Sequence, residues 1–167
     1  MNGHWLHLSI NHFPIVLSIV GALAALVAFV TRRRAALLYA LVTMVAAGLT
    51  SYPAQFTGEY AEEAVEHRWY VDESAIHAHE EAGERATWIL IAGGVAAAIG
   101  MYVVLRAPRE ATPSALLLTL MLVLSVSGAV AAGYTGWQGG KIVSRNERLG
   151  AGSAPSDSAS LHDHSGH

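Results

Sequence analysis

Charged side chains are almost absent from four long stretches of the sequence and are concentrated between them. Each stretch has at least 18 residues, and a helix of about 20 residues crosses a hydrocarbon core of roughly 30 Å. Periodicity alone does not distinguish these stretches from buried helices of a soluble protein, but their length and lack of charge do. The pattern predicts an all-α, four-transmembrane-helix bundle built from two hairpins, with spans at about residues 13–30, 35–56, 87–105 and 113–134.

Composition agrees with this pattern and narrows the chemistry. Only 14% of the residues are charged, whereas a soluble domain usually has about 25%. The net charge of -3 gives no reason to expect a nucleic-acid partner. The chain has no cysteine, which excludes disulfides, thiolate metal sites, iron–sulfur ligation and covalently attached haem. Histidine and carboxylate chemistry remains.

Basic residues in the two short connections predict the orientation. They are Arg32, Arg33, Arg34, Arg106 and Arg109. Because short loops rich in Lys and Arg stay in the cytoplasm, both termini and the loop 57–86 should lie outside. In a bacterium this means a multi-pass protein of the inner membrane with periplasmic termini.

The outer segments differ from the spans in composition. The loop 57–86 is strongly acidic, and we expect two short interfacial helices in it, at about 60–69 and 75–86. The segment 150–167 is rich in Gly, Ser, Asp and His, a composition typical of disorder. The sequence therefore divides into a transmembrane domain, residues 1–149, and a disordered, histidine-containing tail.

Histidine is unusually frequent for this length, and in the predicted topology every histidine is outside. The nine are His4, His7, His12, His67, His77, His79, His162, His164 and His167. Because the cytoplasmic turns are very short, few positions for a histidine exist on that side. The clustering of the histidines is therefore more informative than the side on which they lie. The two hairpins form a weak repeat in which His12 corresponds to His79, both at the outer mouth of the bundle.

Haem b is one cofactor that this cluster could hold. It needs two axial imidazoles on facing helices and a slot lined by small residues. His12 and His79 are the candidate ligands, with His7 and His77 as alternates. The glycines of the spans could line such a slot or could simply allow close helix packing; they are Gly21, Gly48, Gly93, Gly94, Gly128 and Gly133.

A metal ion is the other candidate. Glu63 lies four residues before His67, and Glu80 and Glu81 lie three and four residues after His77. Bundles hold metals with His and Glu at these helical spacings, and imidazole with carboxylate suits Fe, Cu or Zn. The alternative interpretation is a solvated helix face, with each histidine acting as a polar anchor at the membrane surface.

Two terminal motifs resemble those of a known family. His7 is followed after four residues by His12-Phe13-Pro14-Ile15, and the run Thr135 to Val143 contains a Gly-Gly followed by an apolar pair. Both resemble a bacterial family of four-helix membrane proteins of unknown function. Members usually continue with a Tyr and a His where this chain has Ser144-Arg145-Asn146. Because some relatives are fused to Rieske-type modules, the resemblance implies a role in electron transfer and carries over His7 and His12.

Two functions follow from these observations. The first is a small membrane subunit that binds haem b or a metal at its outer face and transfers electrons to a larger complex or a soluble periplasmic redox partner. The second is a non-catalytic accessory or assembly subunit. A transporter is disfavoured because the spans contain no ionisable His, Lys, Arg, Asp or Glu at the midplane. No hydrolytic motif or phosphate loop occurs.

Overall fold

A computed structural model describes residues 9–63 and 73–152, and these residues form four long helices without a strand. The helices are α1 (His12–Thr31), α2 (Arg34–Glu63), α3 (Glu73–Arg106) and α4 (Ala115–Gly152). Each packs on its neighbours in chain order, and α4 closes the ring against α1. The prediction of an all-α bundle of two hairpins is confirmed.

All four helices are long and apolar enough to cross a membrane. Their apolar parts are His12–Thr31, Arg34–Gly58, Ser74–Arg106 and Ala115–Ile142. Large apolar side chains point away from the bundle, as at Leu116, Val30 and Leu49, which are 80%, 72% and 72% exposed. Such a surface is costly in water but matches lipid, where a neighbouring hydrocarbon chain takes the place of a core.

The interior of the bundle is built mainly from small residues. Ala28, Ala40 and Ala97 are completely buried, and the largest fully buried side chains are Leu37, Leu41, Leu118 and Met121. Helices in lipid associate through close van der Waals packing, which small residues permit. The sequence therefore places its bulky residues towards lipid and its small residues between helices.

The beginning of α3 differs from the prediction. Residues 75–86 were expected to form a separate interfacial helix, but the chain is one continuous helix from Glu73 to Arg106. Its buried face continues without a break through Ala75, Ala82, Ala86 and Leu90. The charged residues of this part face outward and therefore do not interrupt the packing. The other expected interfacial helix, 60–69, is an extension of α2 as far as Glu63, and its remainder lies outside the described residues.

The end of α4 also differs. The fourth span was expected to end near Tyr134, but α4 continues to Gly152, so residues 150–152 belong to the helix and not to the tail. The rest of the predicted tail lies outside the described residues. At the other end, Ser114 begins α4 by accepting a hydrogen bond at its Oγ from the backbone N–H of Leu117, at 3.3 Å, as an N-cap residue does.

The two inter-helix turns form one end of the molecule, here called the turn end (residues 31–34 and 106–114). Arg32 closes α1 with a left-handed backbone, φ 54°. The Arg34 guanidinium donates hydrogen bonds from Nη1 to the carbonyl oxygens of Ala107 (3.1 Å) and Pro108 (2.7 Å). One side chain therefore fixes the first hairpin to the second.

The opposite end is here called the histidine-bearing end: the starts of α1 and α3, the end of α2, and α4 from Thr135. It contains His12, His77 and His79, which are all the histidines within the described residues. The helical bounds thus separate these histidines from the arginines of the turn end by the length of the bundle.

Candidate functional site

Of the three described histidines, His79 is the one that packs partly inside the bundle. It lies in the second turn of α3, half-buried against α4, and its Nδ1 is 3.0 Å from the backbone oxygen of Thr135. A carbonyl oxygen can only accept, so Nδ1 carries the hydrogen and donates it. In the neutral ring, Nε2 then presents its lone pair to a ligand or a proton.

Gly139 provides the space for this ring. A Cβ placed on Gly139 would lie 3.1 Å from Cε1 of His79, closer than ordinary van der Waals contact. Thr135 and Gly139 are four residues apart and therefore share the face of α4 that meets α3. The carbonyl of one and the missing side chain of the other together set the position of the imidazole.

Thr135 also contacts α3 through its side chain. Its Oγ1 lies 3.0 Å from the carbonyl oxygens of both Ala82 and Ala131, the second within its own helix. Together with the bond from His79, α3 and α4 therefore exchange hydrogen bonds in both directions at this level. The site rests on paired helices, which position side chains more accurately than loops do.

Helix α2 approaches the same level of α3 at Gly83. A Cβ on Gly83 would lie 3.2 Å from Oε1 of Gln55, and 3.7 Å from Cγ2 of Thr135. Helix α1 reaches α4 one residue further on, where a Cβ on Gly136 would lie 3.5 Å from Cδ1 of Ile15. All four helices therefore converge near the His79 level.

The other predicted haem ligands have different surroundings. His12 is exposed at the first residue of α1. His77 is exposed as well, and its Nδ1 is 3.5 Å from Oε2 of Glu80, an ion pair only when the imidazole is protonated. His7 lies outside the described residues. His79 is therefore the one predicted ligand among the described residues that is partly buried and oriented by a backbone group.

The predicted metal ligands are tested only in part. Glu80 is beside His77, and Glu81 forms an ion pair with Arg85, so both carboxylates lie in exposed surface pairs. The side chain of Glu63 is not described, and His67 lies outside the described residues. Among the residues that are described, no three His, Asp or Glu side chains come close enough to hold a metal ion. This ligand set stays a prediction.

Most glycines of the spans lie at helix contacts, whereas a Cβ on Gly133 would meet no atom within 4 Å. The Cα atoms of Gly48 and Gly94 are in direct contact across α2 and α3, since a Cβ on either would lie 3.3 Å from the other Cα. Gly128 faces the side chain of Leu90. The pocket between these helices measures about 10 Å³, roughly the space of one water molecule. This pocket is too small for a haem.

Aromatic and polar side chains surround the exposed part of α4 at this end. Lys141 Nζ lies 3.3 Å from the ring centroid of Trp137, a cation–π contact. The ring centroid of Tyr134 is 5.7 Å from that of Trp137, and the buried Gln138 donates a hydrogen bond from Nε2 to the Tyr134 hydroxyl at 2.9 Å. Residues of this kind are typical of a membrane–water boundary.

The sequence prediction missed Thr135 and Gly139 as neighbours of His79. Both lie in the run Thr135 to Val143 that carries the family resemblance, but the pattern does not show which helix that run faces. The spacing of four between them was the available signal, because it places a small residue one turn after a threonine on a single helix face.

Four apolar helices in a ring, with outward-facing bulky side chains and a histidine-bearing end, define a multi-pass membrane protein of the four-helix type. The chain belongs to the DUF2231 family of predicted membrane proteins, a family of unknown function, whose model matches residues 3–149. This confirms the class of family inferred from the terminal motifs. No curated protein and no solved structure matched the chain.

Proposed function

We propose that this protein is a small integral membrane subunit that holds haem b, or another metal cofactor such as Fe, Cu or Zn, at its histidine-bearing end and takes part in electron transfer. This end would face the periplasm, with the protein in the inner membrane of a bacterium. The observation that carries the proposal is the half-buried His79 ring, whose Nδ1–H donates to Thr135 and whose Nε2 remains available.

The hydrogen bond from His79 is of the kind that metal-binding histidines make. A ligating imidazole usually donates its second ring N–H to a carbonyl or carboxylate, which fixes the tautomer and the ring orientation. The Thr135 carbonyl fills this role for His79. Iron bound to such a nitrogen would supply the one-electron chemistry, while the protein residues set the position of the ligand and its access to water.

A second residue that would hold the cofactor would come from another helix. Residue 12 begins α1, and Ile15, one turn later, approaches Gly136 of α4. Gly136 is next to Thr135, which binds His79. Helices α1 and α3 therefore contact α4 at adjacent residues. This proximity favours His12 as the partner of His79, with His7 and His77 as the alternatives.

Absorption spectroscopy on the detergent-purified protein tests the proposal. We expect a Soret band and, after reduction with dithionite, the sharp α band of a b-type haem, or a stoichiometric metal by elemental analysis. His79→Ala should abolish cofactor binding. Glu84→Ala is the matched control, five residues further along α3 and exposed, and should retain it. Wild-type protein from haem- and metal-replete cells that contains neither cofactor would refute the proposal.

An accessory or assembly role is the second candidate. It is favoured by the lack of a three-ligand group among the described residues and by a bundle interior that is filled by its own side chains. In this role the apolar outer surface would pack against a larger membrane complex, and the acidic loop would dock a basic soluble partner. Stable co-purification of a partner in mild detergent, from both wild type and His79→Ala, would support it over the first candidate.

A further inference from the structure

The arginines of the turn end form a single basic face. They are Arg32, Arg33, Arg34, Arg106 and Arg109, and the same segments contain one acidic residue, Glu110. The two turns are held together by the hydrogen bonds from Arg34 to Ala107 and Pro108. Because these bonds join the hairpins, charges that are more than 70 residues apart in sequence lie side by side at one end of the bundle.

The charges of this face are not neutralised within the described part of the protein. Arg32, Arg33, Arg106 and Arg109 are all exposed. No ion pair joins these four arginines to a carboxylate among the described side chains, and the ion pairs of His77 and Arg85 lie at the other end. Several guanidinium groups at one end of the bundle, with one carboxylate in the same segments, repel one another, and an external anion would relieve the repulsion.

The position of Arg106 relates this face to the lipid boundary. Its guanidinium carbon lies 5.1 Å from the ring centroid of Tyr102, and Tyr102 is 60% exposed on the outer, lipid-matching surface of α3. The arginine therefore folds back along the side of the bundle and does not extend away from it. A tyrosine beside an arginine at the end of an apolar helix is the arrangement found at the headgroup level of a bilayer.

We propose that the turn end is a binding site for the headgroups of anionic phospholipids. The phosphate would lie beside the two turns at the lipid-facing side of the bundle, where Arg32 and Arg33 from one hairpin and Arg106 and Arg109 from the other would donate to its oxygens. Guanidinium groups bind phosphate oxygens bidentately. Arg34 would position the site through its backbone hydrogen bonds and would not itself need to contact the lipid.

Native mass spectrometry tests this proposal, with the detergent-purified protein titrated with phosphatidylglycerol or with phosphatidylcholine of the same acyl chains. We expect wild type to prefer phosphatidylglycerol. The double variants Arg32→Gln/Arg33→Gln and Arg106→Gln/Arg109→Gln should each lose about fivefold in that preference for each arginine removed. Arg32→Lys/Arg33→Lys should retain most of it, and Arg85→Gln, at the other end, should leave it unchanged.

Two results would overturn the proposal. One is equal binding of the two lipids by wild type. The other is an unchanged preference in both glutamine double variants while they elute as monodisperse, folded protein. The two double variants alter different hairpins, so a folding defect in one leaves the other as a test. Neither result depends on the cofactor proposed for His79.

Discussion

Gly139 determines how closely α4 can approach the His79 ring. A methyl group at this position would lie 3.1 Å from Cε1 of His79, and α4 or the ring would have to move by a few tenths of an ångström. At Gly140, the next residue, no atom lies within 4 Å of a built Cβ. The two glycines are thus a matched pair in one helix, one beside the candidate ligand and one beside open space.

We therefore expect opposite results from two alanine substitutions. Gly139→Ala should displace the imidazole, lower cofactor occupancy and reduce stability by about 1–3 kcal/mol, as overpacking does. Gly140→Ala should preserve occupancy and add up to about 1 kcal/mol, since alanine favours a helix more than glycine. Occupancy can be read from the absorption spectrum and stability from thermal unfolding in detergent. Equal effects of the two variants would show that the ring is not held against Gly139.

At the scale of the helices, the backbones of α2 and α3 approach each other closely at Gly48. A Cβ on Gly48 would lie 2.8 Å from the carbonyl oxygen of Leu90, and backbone atoms cannot move aside as the end of a flexible side chain can. Gly133 on α4 has no atom within 4 Å of its built Cβ. The packing of α2 on α3 therefore requires a glycine at position 48, whereas no helix contact requires one at position 133.

Alanine substitutions at Gly48 and Gly133 should therefore have different effects on stability. Gly48→Ala should force α2 and α3 apart and destabilise the bundle by about 1–3 kcal/mol. Gly133→Ala should be neutral or stabilising by up to about 1 kcal/mol. Thermal unfolding monitored by size-exclusion chromatography in detergent compares them. A Gly48→Ala protein as stable as wild type would contradict the close packing of α2 on α3.

The helices could be predicted from the sequence where their ends coincide with the ends of an uncharged stretch. The first two spans were expected at residues 13–30 and 35–56, close to their apolar parts His12–Thr31 and Arg34–Gly58. The continuation of α3 before residue 87 could not be predicted in this way, because this part of the helix has exposed acidic residues on its outer face. Its buried face is a row of alanines, which a count of charges does not detect. The contact of His79 with Thr135 depends on which helices are neighbours, and span length carries no information about that.

At the scale of the whole molecule, histidines and arginines lie at opposite ends of an apolar bundle. The described histidines are at the end where α1 and α3 begin, and the arginines of the turn end are at the other. If the four helices cross the membrane, the two ends face opposite sides of it. The positive-inside rule predicts that the turn end is cytoplasmic.

Cysteine accessibility measures this arrangement directly, because the chain contains no cysteine of its own. Single substitutions Ser74→Cys, at the start of α3, and Thr112→Cys, in the turn between α3 and α4, place one thiol at each end. With a membrane-impermeant maleimide applied to intact spheroplasts, we expect labelling of Ser74→Cys alone, and labelling of Thr112→Cys only after the membrane is permeabilised. Labelling of both variants from outside, or of Thr112→Cys alone, would contradict the account.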